Sequence, residues 1–581
     1  MKSVVEKYSA AIVGLIIFAV YLQTISPGLS GGDCGELAAV QTTMGIAHPT
    51  GYPLFTILGY LFTKLPISLE PIQKLNLLAA VYTSLGMLVF YIVVLKFLKF
   101  LRGKNQIIVD IKTIYIVSIA TTFILAFSPT IWFQSTFTEV YSLHILLVSF
   151  LFYLIVEILY RQEKGVITKH MWLLVSICLA FSFGNHFTTV FLLPGFLYLY
   201  IIDKTFKKKI SFFILSSLVF LVLTSSLYSY LLIRSSMNPV LNWGDPDTLR
   251  NLINHITASD YSSWFFPGME LILSQSGQLI NSLFSFDHWE FNFSVLFAFA
   301  GIIVLPKSHK GSFIVFLLIL LVSIILSNSY FIPDINNYFI SIFYVCALFI
   351  SVGIVYLLHQ SKNFWIHYTV FAIIFISVFV QVLSNFNKVN KSEDFIYDEY
   401  ARTVLLSTEP NSIVLVDRNT PFYFPSLYLQ KVEKLRTDVA VICIDFQQSW
   451  YFDQIKKDFP DLVDLNHKKF IVDVSKSSVF ISPALVDEFN FGPHFELVPL
   501  SLLFKVNKKD EYLENMISLT FSEINNPSDP EINSIIENIA VMYENRAKYE
   551  LRFGRKAKAA KLLNELERHF PDFEVRLTIV D

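Results

Sequence analysis

The N-terminal part of the chain places an apolar, membrane-type segment directly before a polar motif rich in glycine. Residues 9–25 read SAAIVGLIIFAVYLQTI, and Gly31-Gly32-Asp33-Cys34-Gly35-Glu36-Leu37 follows a few residues later. Ala47-His48-Pro49-Thr50-Gly51-Tyr52-Pro53 comes next. The apolar run is close to the length that a helix needs to cross a bilayer. Two carboxylates and a histidine therefore stand at the mouth of a predicted span, where a protein acting on a lipid-borne substrate would hold a base.

The composition is typical of a protein with several membrane spans. Of the 581 residues, 54% are hydrophobic and 16% are charged, which is more apolar than soluble domains usually are. The net charge of -2 gives no indication of a nucleic-acid partner. The four cysteines are scattered, so neither a disulfide framework nor a zinc site is predicted. A cleavable signal peptide would have a similar basic start and apolar run, but no clean cleavage site follows, and we expect a retained helix.

Hydropathy predicts a polytopic α-helical membrane protein with about eleven transmembrane helices. The fifth and sixth spans are short and lie close together, so the exact number of spans around residues 171–202 stays open. No polar relay of the kind that a proton-coupled pump needs runs through the middle of the spans. The predicted spans are 9–26, 77–100, 111–129, 139–160, 171–184, 187–202, 210–233, 291–306, 312–331, 338–358 and 364–385.

Lysine and arginine are concentrated in alternate loops. By the positive-inside rule the basic loops are cytoplasmic, which puts the N-terminus inside and the C-terminus outside. The candidate polar residues then collect in the outer loops and indicate a site that opens on that face. The basic residues are Lys96, Lys99, Arg102, Lys104, Arg161, Lys164, Lys169, Lys204, Lys207, Lys208, Lys209, Lys307, Lys310 and Lys362.

After about residue 386 the composition becomes that of a soluble domain. Residues 412–417 and 439–445 are predicted as buried strands on either side of a helix at 425–434, which makes a βαβ unit. No phosphate-binding glycine motif follows the first strand, so nucleotide binding is not predicted. Shorter strand-like runs follow at 469–473 and 499–506.

Residues 530–570 have the pattern of one tetratricopeptide-type helical hairpin. A single hairpin of this type cannot bury its own apolar face, so we expect it to pack on the soluble domain. The predicted domains are a multispan transmembrane domain at 1–386, an extracytoplasmic α/β domain at 387–515 and a C-terminal helical segment at 516–581.

The run from Ser30 to Pro53 resembles the signature of the domain of unknown function 2723 family, the family of transmembrane protein 260-like protein O-mannosyltransferases. Residues 238–246 with 255–257, and residues 428–439, look like two further blocks of that family. The family is similar to multispan glycosyltransferases of the GT-C type. The resemblance implies a GT-C-like catalytic domain at 1–386 and an acidic catalytic residue in the first outer loop. Thr50 departs from the expected His-Pro-Pro-Gly and leaves His48 and the turn in place.

Asp33 and Glu36 are the candidate catalytic residues. Transfer of a sugar from a lipid phosphate to a hydroxyl needs a base for the acceptor proton, and one carboxylate can provide it. The three-residue spacing puts both carboxylates on one face if a helix begins here. Asp33 is the first choice and Glu36 the second, and which of them is the base stays open. The structural alternative is that one of them only caps the helix that starts near Leu37.

Further outer-loop residues are candidates for substrate binding, and each has a structural alternative. An arginine at the outer end of a span would bind the lipid phosphate bidentately, or would snorkel to the headgroups. A histidine would bind phosphate or sugar, or a backbone carbonyl; an aspartate before proline would most simply form a turn. The resemblance favours a functional role for His48 and Asp245. The full set is His48, Tyr52, Glu139, His186, Arg234 and Asp245.

No cofactor is expected. Two carboxylates and a histidine suit a divalent metal ion, but no tight ligand spacing such as HExxH is present, so a metal-independent reaction is favoured and no metal ligand is assigned. The expected partners are a polyprenyl-phosphate sugar donor, an acceptor polypeptide with Ser or Thr, and the lipid bilayer. The expected location is the bacterial inner membrane with a periplasmic site, or the endoplasmic reticulum membrane with a luminal site if the chain is eukaryotic.

The resemblance implies an inverting glycosyltransferase that moves a hexose, mannose by family, from the lipid phosphate to protein Ser or Thr hydroxyls. Three alternatives stay open: a glycosyltransferase acting on a lipid-linked or surface glycan, a transporter or flippase for a lipid-linked sugar, and a noncatalytic scaffold. A transporter usually has polar residues deep within its spans and internal repeats, and neither is evident. The sugar, the length of the lipid, the acceptor motif and the oligomeric state are not determined by the sequence.

Overall fold

The computed structural model of the chain contains two compact units. We call Met1–Ile25, His48–Met237 and Pro246–Ser392 the helical unit, and Ser26–Ala47, Asn238–Asp245 and Glu393–Asp581 the mixed unit. Lys104, Lys362 and the predicted boundary between 515 and 516 lie outside the described residues. The structure describes residues 2–103, 109–266, 268–285, 289–361, 363–460, 464–466, 469–471, 477–489, 491–514, 530–571 and 573.

Helices dominate the described chain. Short 3-10 helices lie at Phe187–Leu192, Ser259–Trp264, Asn292–Ser294, Ile335–Phe339 and Pro483–Leu485. The α-helices, numbered α1 to α21 in chain order, are Lys2–Leu22, Cys34–Thr43, Pro53–Thr63, Pro71–Arg102, Ile111–Ala126, Pro129–Phe133, Val140–Glu163, Lys169–Phe183, Leu193–Ile202, Lys209–Ser236, Leu249–Ile256, Met269–Phe284, Val295–Ser308, Lys310–Asn328, Ile340–Gln360, Phe364–Val389, Ile396–Ser407, Tyr423–Lys431, Ser449–Asp458, Pro530–Arg552 and Lys556–His569.

Every predicted span coincides with helix in the helical unit, and the fold is that of a polytopic helical membrane protein. The apolar segments of the remaining helices of this unit are shorter, at 10–17 residues (Tyr8–Leu22 within α1), so the total number of spans stays a prediction. Within the described residues, six helices are long and apolar enough to cross a membrane: Pro71–Arg102, Val140–Glu163, Lys209–Ser236, Lys310–Asn328, Ile335–Gln360 and Phe364–Val389.

Two helices of ten or more residues in this unit fall where the sequence predicts only outer loops. One is α3, which has 11 residues and is therefore too short to register as a span in a window of about 19 residues. The other is α12, whose polar residues interrupt its apolar pattern. Helix α3 begins directly after the candidate residue Tyr52, and the outer loops contain more regular structure than predicted.

The centre of the helical unit is formed by α4 against α7 and by α13 against α15. A β-carbon added at Gly301 of α13 would collide with the carbonyl of Phe349 on α15, so the glycine allows the two backbones to approach closely. The hydroxyl of Tyr344 lies 2.7 Å from that of Ser149, which links α15 to α7. These close contacts fix the helix ends from which the outer loops extend.

The mixed unit is built on a five-stranded sheet in the order β2-β1-β5-β7-β6. Strand β1 runs parallel to β2 and to β5 and is buried along its length, as expected for the inner strand of a parallel sheet. Helix α18 connects β1 to β2 at the position of the predicted βαβ unit. The strands are β1 Ile413–Val416, β2 Ala440–Cys443, β3 Asp464–Asn466, β4 Lys469–Ile471, β5 Val479–Ile481, β6 Phe495–Leu500 and β7 Leu503–Lys508.

The predicted run at 499–506 is wrong in extent, because it contains parts of two antiparallel strands, β6 and β7. The chain reverses at Ser501, whose φ of 55° is a turn conformation. Strand β5 has three residues, too few to give a sequence signal of its own. At the end of the chain, α20 and α21 pack together as a helical hairpin, and α20 also contacts β6.

Candidate active site

The two candidate catalytic carboxylates lie together at the start of α2, in the mixed unit. Asp33 immediately precedes the helix and its side chain makes no capping hydrogen bond to it, so the structural alternative of an N-cap does not apply to Asp33. Glu36 lies in the first helical turn and is 1% exposed, whereas Asp33 is partly exposed. Carboxylate oxygens of the two residues lie within 4.8 Å of each other. Both carboxylates can therefore act on one substrate group.

The glycines of the motif allow other parts of the mixed unit to hold this loop. The backbone N–H of Gly32 donates to the carboxylate of Glu531 at the start of α20, with a shorter distance of 2.9 Å. A β-carbon at Gly31 would fall on that carboxylate and 2.7 Å from the hydroxyl of Tyr397. A β-carbon at Gly35 would overlap the backbone of α18 at Phe424. The glycine pattern is thus required by close packing around Asp33.

Residues 238–245, from the long outer loop, belong to the same unit. The N–H of Ile46 donates to Leu241 O at 2.8 Å, and Ile46 and Asn242 form a parallel bridge. The Nδ2 of Asn242 donates to Oδ1 of Asp245 at 2.7 Å, and Asp245 has a φ of 40°. Asp245 therefore organises a turn and orients Asn242, which is the structural role that its sequence context suggests.

Glu36 also lines a cleft of the mixed unit, together with Asn242, Trp243 and Tyr423. Burial raises the pKa of Tyr423 well above its usual range, and the nearby Tyr451, Cys443 and Glu36 act in the same direction. The phenol therefore stays protonated and can donate a hydrogen bond. Glu36 therefore lies beside a cavity that is lined by side chains, rather than on an open surface.

In the helical unit, the turn before α3 brings His48 and Tyr52 together. The hydroxyl of Tyr52 lies 3.0 Å from Nε2 of His48, and the two rings meet edge to face at 5.1 Å. Gly51 has a φ of 87°, and a β-carbon there would lie 2.7 Å from a methyl group of Leu231. Tyr52 itself adopts a left-handed conformation with a φ of 41°, and Pro53 starts the helix. The turn residues thus fix the direction of both polar side chains.

His186 joins the same group. Its ring stacks on that of Tyr52 with centroids 6.2 Å apart, and its Nδ1 lies 2.7 Å from the hydroxyl of Thr188. Burial lowers the pKa of His186 well below its usual range, and His144 and His48 act in the same direction. The imidazole is therefore neutral and serves as a hydrogen-bonding group rather than as a cation.

The structure places the two other substrate-binding candidates of this unit at helix ends. Glu139 caps α7, since its carboxylate accepts the N–H of Val140 at 3.2 Å, and it acts electrostatically on Tyr141, which packs 4.9 Å from His186. Arg234 lies in the last turn of α10, where it interacts with Tyr230 and with the sulfur of Met237 at 3.7 Å. Both residues therefore lie at helix ends next to the predicted outer loops, as their positions in the sequence predict.

Sequence reasoning missed several members of the group around His186. Tyr141 and His144 lie three residues apart on α7 and so share one helix face, which is the signal that was available. The Nε2 of His144 lies 3.0 Å from the hydroxyl of Thr188, and the hydroxyl of Tyr141 donates to Asp334 at 3.2 Å. We call His48, Tyr52, Tyr141, His144, His186, Thr188, Asp334 and Tyr338 the histidine–tyrosine cluster.

Two models of one protein family match the chain. The model described as "Protein O-mannosyl-transferase TMEM260 N-terminal domain" matches residues 33–209, and the model described as "TMEM260-associated domain 2" matches residues 397–481. The first match begins at Asp33, and it includes the turn with His48 and Tyr52 as well as His186. The second contains β1, α18 and β2 of the sheet.

Curated relatives carry the same name. The mouse protein O-mannosyl-transferase TMEM260 is 26% identical over 481 residues, covering 76% of this chain and 64% of its own length. The Dictyostelium discoideum protein of that name is 28% identical over 275 residues, covering 45% of this chain and 32% of its own length. The matches thus span less than two thirds of either relative.

Solved structures show the same fold. The crystal structure of ArnT from Cupriavidus metallidurans bound to undecaprenyl phosphate matches with a TM-score of 0.53 and 10% identity, covering 86% of this chain and 97% of that one. The apo structure of the same protein matches with a TM-score of 0.53 and 9% identity, covering 87% of this chain and 98% of that one. In sequence, the chain is thus similar to the TMEM260 proteins over residues 33–209 and 397–481.

Proposed function

We propose that this protein is a membrane glycosyltransferase that moves a hexose, mannose by family, from a polyprenyl-phosphate donor to Ser or Thr hydroxyls of a polypeptide. The observation that carries the proposal is the pair formed by Asp33 and Glu36, one partly exposed and one buried, held by close packing at three glycines. The relatives' names, protein O-mannosyl-transferase TMEM260, support the choice of mannose and of a protein acceptor.

Asp33 is the proposed general base. The acceptor oxygen attacks the anomeric carbon while its proton passes to the Asp33 carboxylate, and the bond between that carbon and the phosphate oxygen breaks with the electron pair leaving on the phosphate. Attack opposite the leaving group inverts the anomeric configuration. Glu36 lies within reach of the same position and is proposed to hold the acceptor group. Asp33 is preferred because its carboxylate is partly exposed, whereas that of Glu36 is buried.

The histidine–tyrosine cluster is the proposed contact surface for the donor in the helical unit. A departing lipid phosphate needs directed hydrogen-bond donors or positive charge. His48, Tyr52 and His186 offer such donors as neutral groups, and Arg234 offers a cation at the end of α10. Glu139 is proposed to act through Tyr141. In the mixed unit, Asp245 is proposed to act through Asn242, which lines the cleft together with Glu36.

The proposed membrane arrangement has eleven spans, with the N-terminus in the cytoplasm and the mixed unit outside. It rests on the charge difference between alternate loops and on the coincidence of helices with the predicted spans. The site would then face the periplasm of a bacterium or the lumen of the endoplasmic reticulum.

Transfer by purified protein tests the proposal. The protein in detergent is mixed with polyprenyl-phosphate mannose and Ser- and Thr-containing peptides of secreted proteins, and mass spectrometry follows the peptide. The expected result is a peptide heavier by one hexose, with release of the lipid phosphate. Release of hexose to water without any modified peptide would contradict the peptide acceptor. No turnover of several lipid-phosphate sugars by a folded protein would contradict the glycosyltransferase.

A further inference from the structure

The mixed unit contains a cleft that the proposed chemistry does not yet use. It is a small, partly open cavity of about 50 Å³, which suits a single side chain of a larger ligand rather than a whole drug-sized molecule. Its lining includes Ile46 and residues 241–243 together with residues of α18, β2 and α19. Glu36 forms part of the lining, so the cleft leads to the carboxylate pair.

The walls of the cleft are fixed by contacts that are independent of any ligand. Trp243 packs against Phe446 at 5.0 Å and against Trp450 at 5.4 Å between ring centroids. The Nε2 of Gln454 donates to Val240 O at 3.0 Å. Aromatic side chains with few rotatable bonds, held in this way, form a preorganised surface, which lowers the entropic cost of binding.

Two buried polar atoms in the lining have no hydrogen-bond partner among the described residues. They are the side-chain oxygen of Asn242, an acceptor, and the indole nitrogen of Trp450, a donor. An unsatisfied buried polar group costs about 1–3 kcal/mol, and a ligand that offered a donor to one atom and an acceptor to the other would remove that cost. A peptide group supplies both, since its N–H donates and its C=O accepts.

The remaining lining favours an apolar side chain over a sugar. The ammonium group of Lys431 is paired with Asp458 at 2.8 Å, and the Nε2 of Gln430 donates to two backbone carbonyls at 2.8 and 2.9 Å. Most of the other lining residues are aromatic or aliphatic. A sugar would bury hydroxyl groups against these apolar walls, whereas a leucine- or phenylalanine-like side chain would not.

We propose that this cleft binds the acceptor polypeptide, taking an apolar side chain next to the modified Ser or Thr while Asn242 and Trp450 pair with the peptide backbone. The inference rests on the proposed function and adds to it a rule for the acceptor: an apolar residue adjacent to the hydroxyl residue. The peptide then enters past Glu36, so its hydroxyl is delivered to the carboxylate pair. Trp450 and Asn242 are positioning residues and take no part in the bond-making step.

Peptide binding and transfer kinetics test the inference on the full chain. Trp450→Phe keeps most of the ring and removes the indole N–H. The expected result is a rise of about tenfold in the peptide Kd, measured by fluorescence anisotropy of a labelled peptide, and in the peptide KM, because one hydrogen bond is lost. The donor KM should change less than about twofold. Trp365→Phe, on the exposed face of α16, is the matched control and should change none of these values.

Changing the peptide as well gives a double-mutant cycle. Replacing the apolar residue next to the Ser or Thr by Gly should weaken binding to the wild-type protein, and Leu427→Ala, which shortens an apolar side chain of the lining, should add little to that loss. Additive losses would overturn the inference, and so would an unchanged peptide Kd in Trp450→Phe. A rise in the donor KM instead would make the cleft a sugar site. Because anisotropy needs no turnover, an absence of transfer with intact peptide binding contradicts the proposed function alone.

Discussion

Gly35 lies directly against the backbone of Phe424, so that a β-carbon at Gly35 would overlap the Phe424 carbonyl and lie 2.7 Å from the nitrogen of Pro425. The contact joins the helix of the first outer loop to α18 of the soluble sheet, almost four hundred residues further along the chain. Backbone atoms cannot rotate away as a flexible side chain can. The position of the Asp33–Glu36 pair in the mixed unit therefore depends on the absence of a side chain at Gly35.

The first prediction follows from that contact. Gly35→Ala should force α2 away from α18, lower the free energy of unfolding by about 1–3 kcal/mol and reduce transfer more than tenfold. Thermal unfolding in detergent and the peptide transfer assay measure the two effects. Gly277→Ala is the matched control, because that helical glycine has open space around it, and alanine there should leave activity unchanged. Equal behaviour of the two variants would contradict the account of the motif.

The second prediction concerns the histidine–tyrosine cluster. Tyr52→Phe keeps the ring on His186 and removes the hydroxyl that lies 3.0 Å from His48. Loss of one hydrogen bond of about 1 kcal/mol should lower kcat/KM for the donor about fivefold and leave the peptide KM unchanged. Tyr60→Phe, about two helical turns further along α3, is the control. A change confined to the peptide KM would mean that the cluster contacts the acceptor peptide rather than the donor.

The third prediction concerns Glu290, which is 1% exposed and accepts hydrogen bonds from the hydroxyl and the backbone N–H of Thr130. Burial raises the pKa of this carboxyl to about 7. A pKa raised above its unfolded value favours the protonated folded state, so this contribution to stability is complete below the unfolded pKa and is lost as the pH rises towards 7.

Unfolding in detergent at different pH values measures the effect. The Tm of the wild-type protein should fall more than that of Glu290→Gln between about pH 5 and about pH 8. Glu270→Gln, at an exposed position of α12, should retain the wild-type pH dependence. If Glu290→Gln also retained it, Glu290 would not be the titrating group.

The fourth prediction concerns metal dependence. The sequence favours a metal-independent reaction, with Asp33 acting as a base rather than as a ligand. Transfer should therefore persist in a chelator such as EDTA at a concentration that strips weakly bound divalent ions. Loss of activity in EDTA, restored by Mg²⁺ or Mn²⁺, would instead make the carboxylate pair an oxygen-ligand site of the kind these ions prefer.

Local patterns in the sequence predict much of the fold. The apolar stretch 364–385 lies within α16, and the buried strands at 412–417 and 439–445 correspond to β1 and β2. An apolar stretch as long as 364–385 is typical of a membrane-spanning helix. A short run of consecutive apolar residues is typical of a buried strand in a parallel sheet. Short elements such as α3 and β5 cannot be predicted in this way, because too few residues contribute to the hydrophobic pattern.

The grouping of distant segments was beyond sequence reasoning. Residues 26–47 and 238–245 belong with the C-terminal sheet because Gly35 lacks a side chain and because Trp243 packs between Phe446 and Trp450. These contacts depend on tertiary packing between residues about two hundred or more positions apart. The candidate residues themselves can nevertheless be proposed from the sequence, because glycine, proline and charged residues stand out in apolar sequence. His144 was not found, since it lies inside a helix.

The most direct test of the account is the transfer rate of Asp33→Asn beside that of Glu36→Gln, each shown to be folded by its Tm. The account predicts that Asp33→Asn loses at least about a hundredfold in transfer, as expected for removal of a general base, and that Glu36→Gln loses less. Transfer at the wild-type rate by folded Asp33→Asn protein would contradict the central claim that this carboxylate takes the acceptor proton.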